Sequence, residues 1–494
     1  MERNILVLLP QLVLIATSFL VLAVDLRTGD RKNREAELIP WLVALLGTVA
    51  ALVTLPLWVG QGEFWGRMWQ SDRFSLFFQV LVFSVMILVL LESAEYVRSR
   101  EIQSGVFYAL ILLAGVGMTM MASSRELLTI YVGLELMSVS FYALVGMMKN
   151  DDRSNEAAIK YYLLGAASSA VLLFGISLLF GLTGSTYLPE ISSKLSGLQG
   201  TAALPVAWAA VLLLFVALGF KVAAVPFHMW TPDTYQGAPT PVTAYLAAGS
   251  KAAAFAALIR AFSLGLPTLA DLWQPALTAV AVATMTYGNV VALSQTDVKR
   301  MMGYSSIAHA GYVLTGLAIF TPESLSATLY YLLAYAFTNL GVFAVIVLVA
   351  GRRGNEEISS FRGLGQISPA YAAALTLFFL SLVGIPPTAG FLGKFYLFFA
   401  MIEADYTWLA VVMVINSVIS LPYYYNVVRQ MWLEPPEEAN VLPAGTAAGQ
   451  TAATIAHRAL LGIGPAVAVT ALAVLLLGLY PQPFIEWVRQ VTLL

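Results

Sequence analysis

The chain has 494 residues, 59% hydrophobic and only 11% charged, with a formal net charge of −2. Soluble domains carry about 25% charged residues, so the composition describes an integral membrane protein, and near-neutrality without a basic tract excludes nucleic acid as a partner. Cysteine is absent and the three histidines, His228, His309 and His457, lack metal-ligand spacing, which excludes thiolate-held clusters, covalently attached haem, disulfides and a histidine-built metal site in this chain.

Apolar windows predict helical spans at 5–24, 38–59, 74–92, 105–122, 127–148 and 157–183. Eight more follow at 204–225, 240–262, 272–294, 303–320, 325–350, 371–400, 407–431 and 460–480. The first lacks a small-residue cleavage site and reads as a span rather than a leader. The expected fold is all-α and polytopic, one membrane domain over 1–494 with about fourteen transmembrane helices and no room for a soluble catalytic domain. Polar connections fall at 184–203, 351–370 and 432–459; the last, opening on Glu434, Pro435 and Pro436 and then rich in Ala, Gly and Thr, reads as a flexible loop.

Two spans resist a straight helix. In the seventh, FKVAAVPFHMW, Lys221 lies within the apolar run and Pro226 lacks the N–H that would bond the carbonyl of Val222. In the twelfth, GIPPTAGFLGK, Pro386 and Pro387 interrupt the run and Lys394 follows them. Open backbone at membrane depth persists only against protein or a wet cavity. The breaks are five spans apart, and a repeat with an odd number of spans inserts its second copy upside down. Residues 105–262 and 272–431 are therefore expected to be inverted five-helix repeats, helices 4–8 and 9–13, with helices 7 and 12 broken. N-terminal helices in 1–104 precede them and a C-terminal helix in 460–494 follows.

Of the 26 Lys and Arg residues, sixteen fall in connections after odd-numbered spans and seven on the other side. The basic-rich side faces the cytoplasm, which puts both termini outside it. The three left over, Lys221, Lys251 and Lys394, lie within spans. A lysine at bilayer depth costs about 2.5–3.5 kcal/mol on insertion scales, and such residues usually mark an ion or proton route. Glu135 is the acid placed deepest in a span and a candidate partner for Lys221; His309 is a candidate relay, its ordinary pKa being near neutral. The structural alternatives are a snorkelling lysine, a neutral hydrogen-bonded glutamic acid and a satisfied core histidine.

The stretches from Tyr161 to Thr186 and from Phe220 to Ala247, with KRMMGYSSIAHAGY and SLVGIPPTAGFLGKFYLF, resemble the antiporter-like membrane subunits of bacterial proton-pumping NADH:quinone oxidoreductase (complex I), in particular the subunit N family. The resemblance covers nearly the whole chain and is weakest in the first seventy residues and at 432–459. It implies proton transfer through Glu135 and Lys221 as a charged pair, Lys251 as central relay and Lys394 as the link to one face or the next subunit. The related M-type subunits carry a glutamate where Lys394 stands. It also implies that NAD, FMN, iron–sulfur clusters and quinone belong to partner subunits. The partners would be other membrane subunits and lipid, in a bacterial cytoplasmic membrane. Two alternatives share these residues: a subunit of a multi-subunit sodium/proton antiporter, and a scaffold subunit that moves no protons.

Overall fold

Each of the apolar windows is helical in the computed structural model, whose described residues are 6–28, 38–55, 62–198, 200–353, 355–436 and 462–491. His457 and most of the expected loop at 432–459 lie outside them. The chain opens with α1 (Leu9–Thr28) and α2 (Leu38–Thr54), then a small antiparallel hairpin, β1 (Gly62–Phe64) and β2 (Trp69–Ser71), and α3 (Arg73–Ser99).

Next come α4 (Ser104–Ser123), α5 (Leu127–Val145), α6 (Asp152–Thr183), α7 (Leu204–Val222) with α8 (Trp230–Gly237), and α9 (Thr240–Gly265). The same order then recurs: α10 (Ala270–Ala292), α11 (Val298–Ile319), α12 (Pro322–Arg353), α13 (Pro369–Val383) with α14 (Ala389–Glu403), and α15 (Thr407–Leu433). In each series the third helix is the longest, at 32 residues in both, and the fourth is broken. A terminal pair, α16 (Gly464–Leu479) and α17 (Gln482–Arg489), is bent by 83°.

Among the described residues ten helices, or eleven counting that bent pair, are long and apolar enough to cross a membrane alone. The count falls below fourteen for local reasons. α2 and α13 are only 17 and 15 residues long, and α11 carries Lys299, Arg300, two serines and His309 along an otherwise apolar helix.

Backbone pairing fixes how the two series correspond. The N–H of Leu127 donates to the Thr186 carbonyl and that of Leu188 to Arg125, both at 2.9 Å. The N–H of Val298 donates to Glu356 at 2.9 Å and that of Ile358 to Thr296 at 2.8 Å, in the same arrangement. Glu126 and Asp297 cap α5 and α11 from those corners with their carboxylates. The offset between Leu127 and Val298 places Ser306 at the position of Glu135 and His309 at that of Ser138.

The two breaks share one construction, and it is not the one expected from the prolines. Ala223 is left-handed (φ 65°), its N–H donates to Phe220 at 3.1 Å, and the next N–H, of Ala224, donates to Gly219 at 2.8 Å. Gly384 (φ 92°) donates to Ser381 at 3.1 Å and Ile385 to Leu380 at 2.9 Å. These are paired left-handed helix stops. They end α7 and α13 before Pro226, Pro386 and Pro387 are reached, so the prolines prevent the helix resuming rather than opening it. Val225–Pro226 and Pro386–Pro387 are both cis.

Candidate functional site

α5 presents Glu135 and Ser138 one turn apart. The Ser169 hydroxyl of α6 donates to Glu135. Lys221, in the last turn of α7 and buried, donates from Nζ to Ser138 Oγ at 2.6 Å. The Ser138 hydroxyl itself donates to the Leu134 carbonyl at 2.5 Å, so its proton is committed and a lone pair faces the lysine. Among the described residues Glu135 and Lys221 form no ion pair within 4 Å; a neutral hydroxyl holds the ammonium. Glu135 is only partly buried, on a face where Val132, Val139 and Tyr162 are exposed.

At the centre, α9 changes from α to a π turn over Leu246–Ser250, and Lys251 is the first residue after it. π turns of this kind are frequent at functional sites. Lys251 Nζ donates to the Ser306 carbonyl at 2.6 Å and also to the Ser306 hydroxyl. That hydroxyl is shared with Tyr235 of α8 at 3.1 Å and Tyr335 of α12 at 2.9 Å. One turn further along α11, His309 Nδ1 lies 2.6 Å from the Tyr331 hydroxyl and Nε2 3.4 Å from that of Tyr424. Tyr424 also bonds Ser305. Lys251, Ser306, His309 and five further hydroxyls, of four tyrosines and Ser305, thus form one buried polar cluster.

Lys394 closes the line. Its Nζ donates to the carbonyls of Leu382 and Val383, both at 3.0 Å, and lies 4.6 Å from the Tyr312 ring centre. This accounts for a lysine after the second break where the first has one before it. The last carbonyls of a helix lack intrahelical partners and sit at its negative dipole end; α14 folds back so that Lys394 reaches those of α13. At the first break the Trp230 indole N–H takes the Phe220 carbonyl at 2.9 Å instead. Beside Lys394 a cavity of about 560 Å³ opens between α13, α14 and α15, lined mainly by apolar side chains such as Phe391, Phe395 and Val418.

The structure brings Lys251, His309 and Lys394 into one neighbourhood, and sets Glu135 and Lys221 at the other end. Three further charges sit where windowing misjudged them. Arg260 and Lys299, counted with the connections, are buried, at 0% and 1% exposure. Arg260 donates to the Ala122 carbonyl at 2.7 Å and to Asp72 at 2.8 Å, and Lys299 donates to Ala238 at 2.7 Å. Glu92, where the window stopped, is fully buried because α3 continues two turns to Ser99. Asp233 of α8 accepts from Lys160 of α6 at 2.7 Å and from Arg300 of α11 at 2.5 Å, tying the two series together beyond the first break. No group of three or more acidic or histidine side chains that could hold a metal occurs among the described residues.

Comparison with known proteins places this arrangement. Residues 124–420 match the family described as NADH:quinone oxidoreductase/Mrp antiporter, TM. The chain is 44% identical to NADH-quinone oxidoreductase subunit N 2 of Symbiobacterium thermophilum, covering 98% of this chain and 96% of that one. It is 39% identical to F(420)H(2) dehydrogenase subunit N of Methanosarcina mazei, covering 98% and 97%. A chain of respiratory complex I from Thermus thermophilus superposes with a TM-score of 0.76 at 31% identity, covering 97% and 98%.

Proposed function

Because the chain belongs to the NADH:quinone oxidoreductase/Mrp antiporter family of membrane subunits and is similar over nearly its whole length to subunit N members, we propose that it is the corresponding proton-translocating subunit in the membrane arm of a proton-pumping NADH:quinone oxidoreductase. It is an enzyme subunit without a redox site of its own. NAD, FMN, iron–sulfur clusters and quinone belong to other subunits, and neighbouring membrane subunits abut it. The host membrane is a bacterial cytoplasmic membrane, with both termini on the non-cytoplasmic side. The two helix series, 105–262 and 272–431, act as inverted halves.

One observation carries this reading: buried lysines held by neutral hydroxyls and carbonyls recur in both halves, Lys221 near Glu135, Lys251 beside the His309 cluster, and Lys394 at the second break. Lysines buried against neutral hydroxyls and carbonyls can gain or lose a proton without breaking an ion pair. A scaffold that moved no protons would have no use for them, given their insertion cost. The relative named for F420H2 is covered almost end to end, which fits a chain that handles protons whatever donor supplies the electrons.

The test is Lys251→Ala in membrane vesicles, with complex content followed by immunoblot. Loss of NADH-driven pumping together with quinone reduction is expected. Wild-type coupling in an assembled variant would leave the subunit as a scaffold.

A further inference from the structure

We propose that Glu92, on α3 outside both helix series, is an additional proton-carrying carboxyl of this subunit, serving the end of α9 that leads to Lys251. This rests on the proton-carrying reading of Lys251. Glu92 is 0% exposed, neither carboxyl oxygen has a hydrogen-bond partner, and no ion pair reaches it among the described residues. It stands in a long apolar helix. An acid placed this way stabilises nothing; burying it without a partner is a cost. Intramembrane ionisable residues kept at such a cost mark transfer routes.

The faces of α3 show where Glu92 points. The Leu90 carbonyl receives the Trp41 indole N–H of α2 at 2.7 Å. Leu91 lies against Gly462, and the Ser93 hydroxyl turns back to the Leu90 carbonyl at 2.9 Å. Glu92 shares its stripe with Tyr96 one turn on. Tyr96 lies against Thr240, the first residue of α9, and near Arg100 and Glu356. Thr240 is itself buried, with its hydroxyl facing Tyr96. α3 packs here on the start of α9, on its π turn, and on α12, which carries Tyr335. From Thr240 to Lys251 is about 16 Å of helix.

The polar groups beyond Tyr96 reach the aqueous side: Glu356 pairs with the buried Lys299 at 3.8 Å, and Arg100 is exposed. In the proposed step the Glu92 carboxyl gives its proton toward the Lys251 amine. The carboxylate so formed is reprotonated from the side of Glu356, and no other bond changes. This route is separate from the one through Glu135 and Lys221.

The experiment compares Glu92→Gln, Glu92→Asp and Lys251→Ala in membrane vesicles, normalised to assembled complex. Glutamine has the shape of the protonated acid, so a neutral structural role predicts wild-type rates for it. The proposal expects Glu92→Gln to lower pumping and quinone reduction by about tenfold or more, and Glu92→Asp, which keeps a titratable group, to recover part of both. Wild-type rates in Glu92→Gln alongside an inactive Lys251→Ala would overturn the proposal and spare the parent reading. A fully active Lys251→Ala would remove the parent reading instead. If Glu92→Gln does not assemble, the unmodified complex is treated with dicyclohexylcarbodiimide, which attacks protonated carboxyls in apolar surroundings, and peptides are mass-analysed. An adduct on Glu92 is expected, and its absence refutes the assignment.

Discussion

Ser138→Ala tests the contact on which the first half of the proposed proton line depends. The Ser138 hydroxyl is the hydrogen-bond acceptor of Lys221, at 2.6 Å, and is fully buried. A hydrogen bond to a charged group contributes about 1.5–3 kcal/mol, and about 1.4 kcal/mol is tenfold in a rate or equilibrium. Losing it should make the protonated lysine about 10- to 150-fold harder to populate there. A water molecule in the space left by the hydroxyl would bring the effect to the lower end of that range. Steady NADH-driven acidification of vesicles, measured with a quenching dye and normalised to assembled complex, should fall several-fold in Ser138→Ala. Ser138→Cys keeps the volume but offers only a weak acceptor, and should fall nearly as far, which separates the hydrogen bond from packing. Wild-type pumping in both variants would refute the reasoning, because Lys221 would then need no fixed acceptor.

Ala223 is left-handed without being glycine, a strain of about 1–2 kcal/mol. Ala223→Gly should therefore raise the thermal stability of the purified complex slightly and keep activity, and a lower melting temperature would count against the helix stop. Pro226→Ala should leave α7 broken, because the stop precedes the proline; a continuous helix in a structure of that variant would show otherwise. Asp233→Asn removes one charge bridged to Lys160 and Arg300, at side-chain exposures of 28%, 43% and 31%. After allowance for solvent screening, the loss is about 1–2 kcal/mol, read as a lower melting temperature with the complex still assembled; no shift would mean that α8 is held by packing alone. Single cysteines at Glu101 and Ser193, both exposed, should react with an impermeant thiol reagent from opposite sides, Glu101→Cys from the cytoplasm. The reverse pattern would invert the orientation.

The spans were legible because apolar windows of sufficient length are rare outside membranes, and the lysine trio because a lysine inside such a window stands out. The breaks were legible through Pro226, Pro386 and Pro387. Their construction was not, since a left-handed Ala223 depends on tertiary packing that local sequence does not encode. Windows also fail systematically at charges. A single Glu or Arg lowers the local mean, so the window closes about there while the helix continues. Glu92 stands at the end of one such window and Lys299 just before another, although both are buried; Arg260 lies within its span and is buried too. Ser138 and Ser306 carried no signal, because serine is unremarkable in membrane helices. Only the offset between paired corners picks them out, one turn from His309 in one series and from Glu135 in the other.

That correspondence also shows why the lysines suit transport better than pairing. Lys221 rests on Ser138 and Lys251 on Ser306, both neutral hydroxyls, and Lys394 on two carbonyls. A carboxylate in direct contact, at about 4 Å and an effective dielectric of 20, would hold a lysine by about 4 kcal/mol. Set back to about 8 Å, the same pair would interact by about 2 kcal/mol. A membrane potential supplies about 2.3 kcal/mol per charge per 100 mV. The direct pair would be locked against such a force, whereas the spaced one is balanced against it. With Ser138 rather than Glu135 as its hydrogen-bond partner, Lys221 is left free of a direct carboxylate contact, which is what the proposed exchange of protons requires.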